Sequence, residues 1–301
     1  MRKKFLLLLA LLFLLAGVIF ILPAVRDHAP EQTKESATEE TESTTETESE
    51  TPTETETESE TETEETTEEE TEGPGDPVDR EKVETHLIIA SDTHYMSPSM
   101  TDYGAAFDSL VNSNDGKVIR YQPQLWQAFK SEVLAANPDA LILSGDLSLN
   151  GEKANHLEFS EKLHEIEEAG VPVYVIPGNH DINKPDAGEY FGDQRTDVES
   201  VTSEEFREIY ADFGYNEAKS GAPDSLSYLV ELNDTTWLMM LDTTVCEPEN
   251  EVYGEIKEET LEWMEECMKA AYAEGITVIP VGHHNLQRLS RVYVEECVIE
   301  N

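Results

Sequence analysis

Residues 173–181 read Val-Tyr-Val-Ile-Pro-Gly-Asn-His-Asp. A short β-branched and aromatic run stops at Pro177-Gly178, and residues able to hold a metal or move a proton follow at once. That is the pattern of a buried strand whose carboxyl end opens into a site. Three other apolar runs end in the same way. Residues 87–91 stop at Asp92-Thr93-His94, residues 140–144 at Gly145-Asp146, and residues 276–281 at Gly282-His283-His284. Predicted strand ends therefore deliver Asp, His, Asp, Asn, His and His, which is the main chemical signal of the chain.

Helical patterns separate the first three runs. Residues 122–136 carry Leu125, Trp126, Phe129, Val133 and Leu134 at helical spacing, with Pro123 in the first turn and Asn137-Pro138 at the end. Residues 152–169 carry Leu157, Phe159, Leu163 and Ile166 and stop at Gly170. Strand–helix–strand–helix–strand order predicts a right-handed, parallel α/β core. The first strand, 86–91, reads as buried on both faces, and residues 95–119 as loop. Residues 182–202 read as irregular, followed by a helix around 203–213. Residues 225–232 and 235–241 read as a hairpin turning at Asn233-Asp234, then 256–273 as an amphipathic helix and 276–281 as another buried strand. Trp126 and Trp263 fall on apolar helix faces and read as core. His86 reads as structural, His156 and His164 as exposed helix residues, and His28 as part of a tether. Cys246, Cys267 and Cys297 are too few and too scattered for a disulfide framework or a Cys-rich metal site, and Cys267 reads as a packed apolar residue.

The net charge of −45 is unevenly spread: +3 over residues 1–30, −18 over 31–72 and −30 over 73–301. So acidic a folded region would repel a phosphate backbone, and no nucleic-acid-binding surface is expected. Most of the excess reads as a solvated acidic surface. Met1-Arg2-Lys3-Lys4 precedes an apolar run over 5–22, longer than an ordinary export-signal core and near the length that spans a bilayer. Residues 1–30 therefore read as a signal-anchor, with a cleaved signal peptide as the alternative. The basic flank predicts that the rest of the chain lies outside the cytoplasmic membrane, single-pass and anchored, or else secreted. Residues 31–82 read as a disordered Thr/Glu-rich linker, because nothing there can bury enough apolar surface to offset ordering entropy. The folded domain is expected over 83–301.

Divalent cations are held by carboxylate, imidazole and amide-oxygen ligands, and paired ions sharing a carboxylate sit about 3.5–4 Å apart. Asp92 and His94 alternate on an extended segment and can reach one ion. Asp146, at the end of a neighbouring parallel strand, is placed to bridge. Asn179 and a His from 283–284 can then hold a second ion. Such a centre would drive water in line onto phosphorus, with His180 beside it as general acid for the leaving alkoxide or as donor to a phosphoryl oxygen.

Taken together and in this order, Asp92/His94, Gly145-Asp146, Gly178–Asp181 and the later His283 resemble the motifs of the calcineurin-like metallophosphoesterases. The resemblance spans about residues 84–284. It implies a four-layer α/β/β/α sandwich, two divalent ions (Mn, Fe, Zn or similar) and hydrolysis of a phosphoester substrate. By that resemblance Asp92, His94 and Asp146 are ligands of one ion, Asp146, Asn179 and His283 ligands of the other, and His180 is the catalytic histidine. His284 would shape the pocket rather than ligate, and Tyr95 and Asn150 would line it. The family pattern closes on Gly-His-x-His, and none follows His284. The sequence thus reads as truncated, with completion by a second chain or a crippled centre as alternatives. The competing functional reading is a catalytically inactive fragment or surface binding module that keeps the fold. A family position near Gly-Asp often carries an acidic partner for the catalytic His; here the segment is Gly-Asp-Leu-Ser-Leu-Asn-Gly.

Overall fold

The computed structural model describes residues 78–113, 116–286 and 299. These belong to one unit, Glu68–Asn301. The signal-anchor expected over 1–30, the linker up to residue 77, and Cys297 lie outside the described residues. Among the described residues no helix is long and apolar enough to cross a membrane.

The Val-Tyr-Val-Ile run forms β3 (Val173–Ile176), beside β2 (Ala140–Ser144), which lies beside β1 (Leu87–Ala90). All are parallel, in the order β1-β2-β3, with Ile89 opposite Ile142 and Leu143 opposite Val175. Their carboxyl ends therefore share one edge of the sheet. Helix α1 (Ala105–Ser113) and α2 (Gln122–Ala136) connect β1 to β2, and α3 (Lys153–Glu167) connects β2 to β3. Asn137 ends α2 in the left-handed conformation (φ 46°), its N–H returning to Val133 O. A second sheet runs β6 (Ser220–Gly221), β7 (Tyr228–Asn233), β8 (Thr236–Leu241), β9 (Thr277–Gly282), with β7–β8 the predicted hairpin. Strand β9 lies parallel to β8 because α5 (Glu258–Glu274) returns the chain across the sheet.

Alternation along the hairpin sorts its side chains into separate cores. Tyr228, Val230, Leu238 and Met240 join Leu143, Val175 and Ile176 between the sheets, with Trp126, Phe159, Leu163 and Ile166 of α2 and α3 in the same cluster. Leu229, Trp237, Met239 and Leu241 point the other way, onto Trp263, Cys267 and Ala271 of α5. The Tyr228 hydroxyl crosses between sheets to donate to Val175 O at 2.7 Å. The chain is thus a mixed α/β fold.

Several expectations need correcting. Strand β1 is not buried on both faces: it is the sheet edge, and Ile89 is 58% exposed. Among the described residues strand β9 is likewise an edge, and it is only partly buried. Residues 95–119 are not all loop. Phe107, Leu110 and Val111 of α1 close a small cluster with Met96, Met100, Ile119, Leu149 and Tyr190, a contact set too dispersed to leave a periodic signal. The irregular stretch holds a hairpin, β4 (Gly188–Phe191) and β5 (Gln194–Asp197), with Tyr190 reaching that cluster. The helix near 203–213 is α4 (Ser203–Ile209), followed by a wider turn at Ala211–Tyr215. Residues 78–82 of the expected linker lie on the domain: Arg80 donates to Glu274 O and Asp234 O, and Lys82 to Gly275 O.

Candidate metal centre

Beyond the strand ends the parallel ladder continues into loops. Asp92 N donates to Gly145 O at 3.1 Å, His94 N to Asp146 O at 2.9 Å and Tyr95 N to Leu147 O at 2.8 Å. Asp92, His94 and Asp146 all adopt positive φ (55°, 41° and 53°). For residues with a Cβ this conformation costs about 1 kcal/mol or more, and such outliers concentrate at functional sites. Here the twist brings the three side chains together, with ligating atoms within 4.8 Å of one another.

Asp146 is the hub. Its Oδ2 faces His94 Nε2 at 3.5 Å and its Oδ1 faces His283 Nε2 at 3.5 Å. Asp92 Oδ1 lies 3.8 Å from the same nitrogen of His94. These separations are too long for hydrogen bonds. The two 3.5 Å separations match the roughly 3.0–3.5 Å between ligand atoms that each sit about 2.0–2.2 Å from a shared ion, and the Asp92 separation is slightly longer. The His283 ring supports this fit. Its Nδ1–H donates to Ser144 O at 2.8 Å, so in that tautomer Nε2 turns a bare lone pair toward Asp146 Oδ1 and, at 3.2 Å, Asn179 Oδ1. Apart from the His180 N–H that reaches Asp146 Oδ1, the atoms facing one another here are acceptors, a set that suits a cation. Burial pushes the Asp146 carboxyl above the usual carboxylate range, against the opposing effect of His283. Burial, with the Lys117 charge adding to it, lowers His94 to about 4 and keeps it in the neutral form that ligation needs.

Packing holds the centre in place. A Cβ on Gly178 would lie 2.3 Å from Asp146 N and Oδ1 and 2.9 Å from His283 Nε2. Only hydrogen fits there. Buried Asp181 accepts from Leu147 N at 3.0 Å, Ser148 N at 2.8 Å, Ser148 Oγ at 3.0 Å and Gly178 N at 2.8 Å, tying the Gly-Asn-His-Asp loop to the Gly-Asp loop. His180 N donates to Asp146 Oδ1 at 2.9 Å.

His180 packs edge-on to His94 with ring centroids 4.9 Å apart. Its Nδ1 lies 2.8 Å from Asn150 Oδ1 and 3.0 Å from Leu149 O, both acceptors, so Nδ1 carries the proton and Nε2 is left for chemistry. Burial, then the positive charge of Lys117, lowers its pKa to about 3. Lys117 Nζ lies 3.5 Å from His180 Nε2.

The model of the calcineurin-like phosphoesterase family, Metallophos, matches residues 85–300. The chain belongs to that family. It is accordingly a hydrolase acting on phosphoester bonds. The comparison with curated proteins returns no match.

In this calcineurin-like phosphoesterase all five expected ligands, Asp92, His94, Asp146, Asn179 and His283, meet around Asp146, with His180 beside them. The expected pocket residues are placed elsewhere. Tyr95 is not on a pocket wall: it is buried, stacks on Phe159 at 5.2 Å and donates to Glu158 Oε1, because the ladder turns its side chain into the core. Asn150 lies behind His180 and fills the place expected for an acidic partner. His284 uses both nitrogens on the protein, with Nδ1 2.7 Å from Thr243 Oγ1 and Nε2 3.1 Å from Val252 O, bracing the 243–252 loop, and it lines a separate cavity with Thr243, Pro280 and Asn285. His156 is not a surface residue. It is fully buried, with Nε2 on Asp181 O at 3.0 Å and Nδ1 on Tyr210 OH at 2.9 Å. Sequence reasoning also gave no role to Asp181 or Lys117. The acid closing the Gly-Asn-His-Asp motif signals the first; nothing in the polar stretch around 117 signals the second.

Proposed function

We propose that this phosphoesterase works with two divalent ions, one held by Asp92, His94 and Asp146 and the other by Asp146, Asn179 and His283, in the α/β/β/α sandwich that the family resemblance implies. One observation carries the reading: the two oxygens of a single buried carboxylate, Asp146, face imidazole nitrogens on opposite sides at equal distance. The chemistry supplied by such ions is neutralisation of charge on the phosphoryl oxygens and activation of water. The chain's own part is positional and protonic. Asp181 and Gly178 keep the strand-end loops in register around Asp146. Asn150 and Leu149 O fix the His180 ring through Nδ1, so that Nε2 can pass a proton to the departing alkoxide. An anionic phosphoryl group alongside raises the proton affinity of His180, which in the bare site is low.

The test is metal content per chain on the purified protein, with Mn²⁺-dependent hydrolysis of an aryl phosphate and an aryl phosphodiester. Two ions and turnover, both abolished by Asp146→Asn, are expected. Fewer ions and no turnover would overturn the reading in favour of a non-hydrolytic binding module. The basic start, the apolar run over 5–22 and the acidic segment over 31–72 support an extracytoplasmic, membrane-tethered domain acting on external phosphoesters rather than on nucleic acid. Protease digestion of intact cells that leaves the domain untouched would refute that address.

A further inference from the structure

A pocket of about 420 Å³ opens directly against the centre, lined by Asp92, His94, Lys117, Val118, Gln122 and Leu125. Its floor belongs to the site: Gln122 Nε2 donates to Thr93 O at 2.7 Å and His94 O at 3.1 Å, locking α2 to the loop that carries Asp92 and His94. Its wall is apolar and open to solvent. Leu125 falls on the apolar stripe of α2, yet it is 48% exposed, and Val118 is 55% exposed. The core uses neither. Its cation is Lys117, whose Nζ is 3.5 Å from His180 Nε2.

These observations place a positive charge, an exposed apolar wall and the Nε2 of His180 on one side of the centre. We propose that Lys117 pairs with a phosphoryl oxygen of the bound substrate beside His180, that Val118 and Leu125 receive its organic group, and that Lys117 thereby selects phosphomonoester dianions over phosphodiester monoanions. The inference rests on the phosphoesterase reading above. Charge supplies the physical reason. Residues 73–301 carry −30, so a dianion is disfavoured on approach about twice as strongly as a monoanion unless a local cation reverses the potential. An amine next to His180 does so where the charge of the ester is greatest, and a diester, with one ionised oxygen fewer, gains less from it. Because the amine is the same distance from His180 whatever the leaving group, the selection acts on the phosphoryl charge rather than on the organic part.

The experiment compares the metal-loaded wild type with Lys117→Met and Lys117→Arg on 4-nitrophenyl phosphate and bis(4-nitrophenyl) phosphate, which offer the same aryl group. Calorimetry measures inorganic phosphate binding to the same proteins. Lys117→Met is expected to lower kcat/KM for the monoester by about ten- to hundredfold and to weaken phosphate binding in parallel, with a clearly smaller loss on the diester. Lys117→Arg, which keeps the charge, retains most of both. Equal losses on the two esters, or unaltered phosphate binding in Lys117→Met, overturns the role of Lys117 while leaving the phosphoesterase reading intact. A wild type that turns over neither ester fails at the earlier reading instead.

Discussion

At the scale of single residues, the centre depends on what its glycines leave out. Gly178 does not need an unusual backbone conformation. It needs the absence of a methyl group where Asp146 N, Asp146 Oδ1 and His283 Nε2 converge. Gly178→Ala is expected to destabilise the fold by about 1–3 kcal/mol, the usual cost of overpacking, and to lose metal from both proposed sites, since Asp146 is proposed to serve both. Gly221→Ala is the matched control, because its Cβ would meet only Ser227 O, at 3.4 Å. Urea denaturation and metal content decide between them: an alanine at 178 that still binds metal like the wild type would show that Asp146 can shift freely. The ligand residue types are legible in the amino-acid sequence alone. Asp-x-His, Gly-Asp and Gly-Asn-His-Asp each terminate an apolar run, and the parallel sheet sends those termini to one edge. The positions of Tyr95 and Asn150 are not legible there, because sequence proximity to a motif says nothing about which way a side chain turns as the ladder leaves the sheet.

At the scale of elements, α4 is a short helix made stable by its start. Thr202 Oγ1 accepts from Glu205 N at 3.2 Å while Thr202 N donates to Glu205 Oε2 at 3.0 Å, a reciprocal capping box. Glu205 also accepts from Lys153 Nζ at 2.6 Å, joining α4 to the start of α3. Removing the hydroxyl with Thr202→Ala should cost about 1 kcal/mol of unfolding free energy, and an unchanged denaturation midpoint would show that tertiary packing alone holds the helix. Elements with strong periodicity, α2, α3, α5 and the β7–β8 hairpin, are readable from sequence. Helix α1 and the β4–β5 hairpin are not, because their few apolar residues are satisfied by one another across long sequence distance rather than by a repeating local pattern.

At the scale of the whole molecule, His156 connects the structural core to the centre. It lies beneath Asp181, its Nε2 on the Asp181 carbonyl and 3.9 Å from the carboxylate, with Tyr210 on its other nitrogen. Burial lowers its pKa, against a smaller opposing effect of the Asp181 carboxylate. The unfolded chain takes up this proton near pH 6.5 and the folded chain only at lower pH, so the unfolded state binds more protons below 6.5 and stability falls there with acidification. At most the slope is about 1.4 kcal/mol per pH unit for one group. His156→Gln should flatten the acid side of the stability profile relative to wild type. Parallel profiles for the two proteins below pH 6.5 would show that His156 does not titrate between the states.

The amino-acid sequence by itself determined the strand–helix–strand–helix–strand order of the parallel core and the identity of the residues gathered at its strand ends. Those depend on local periodicity, on turn residues and on which side chains can bind a cation or carry a proton. Tertiary structure alone decided which surfaces are edges, that Ile89 and Leu125 remain open while His156 is buried, that Asn150 rather than an acid orients His180, and that Lys117 reaches it. Each of these is set by contacts between segments far apart in the chain, and sequence spacing carries no record of such contacts.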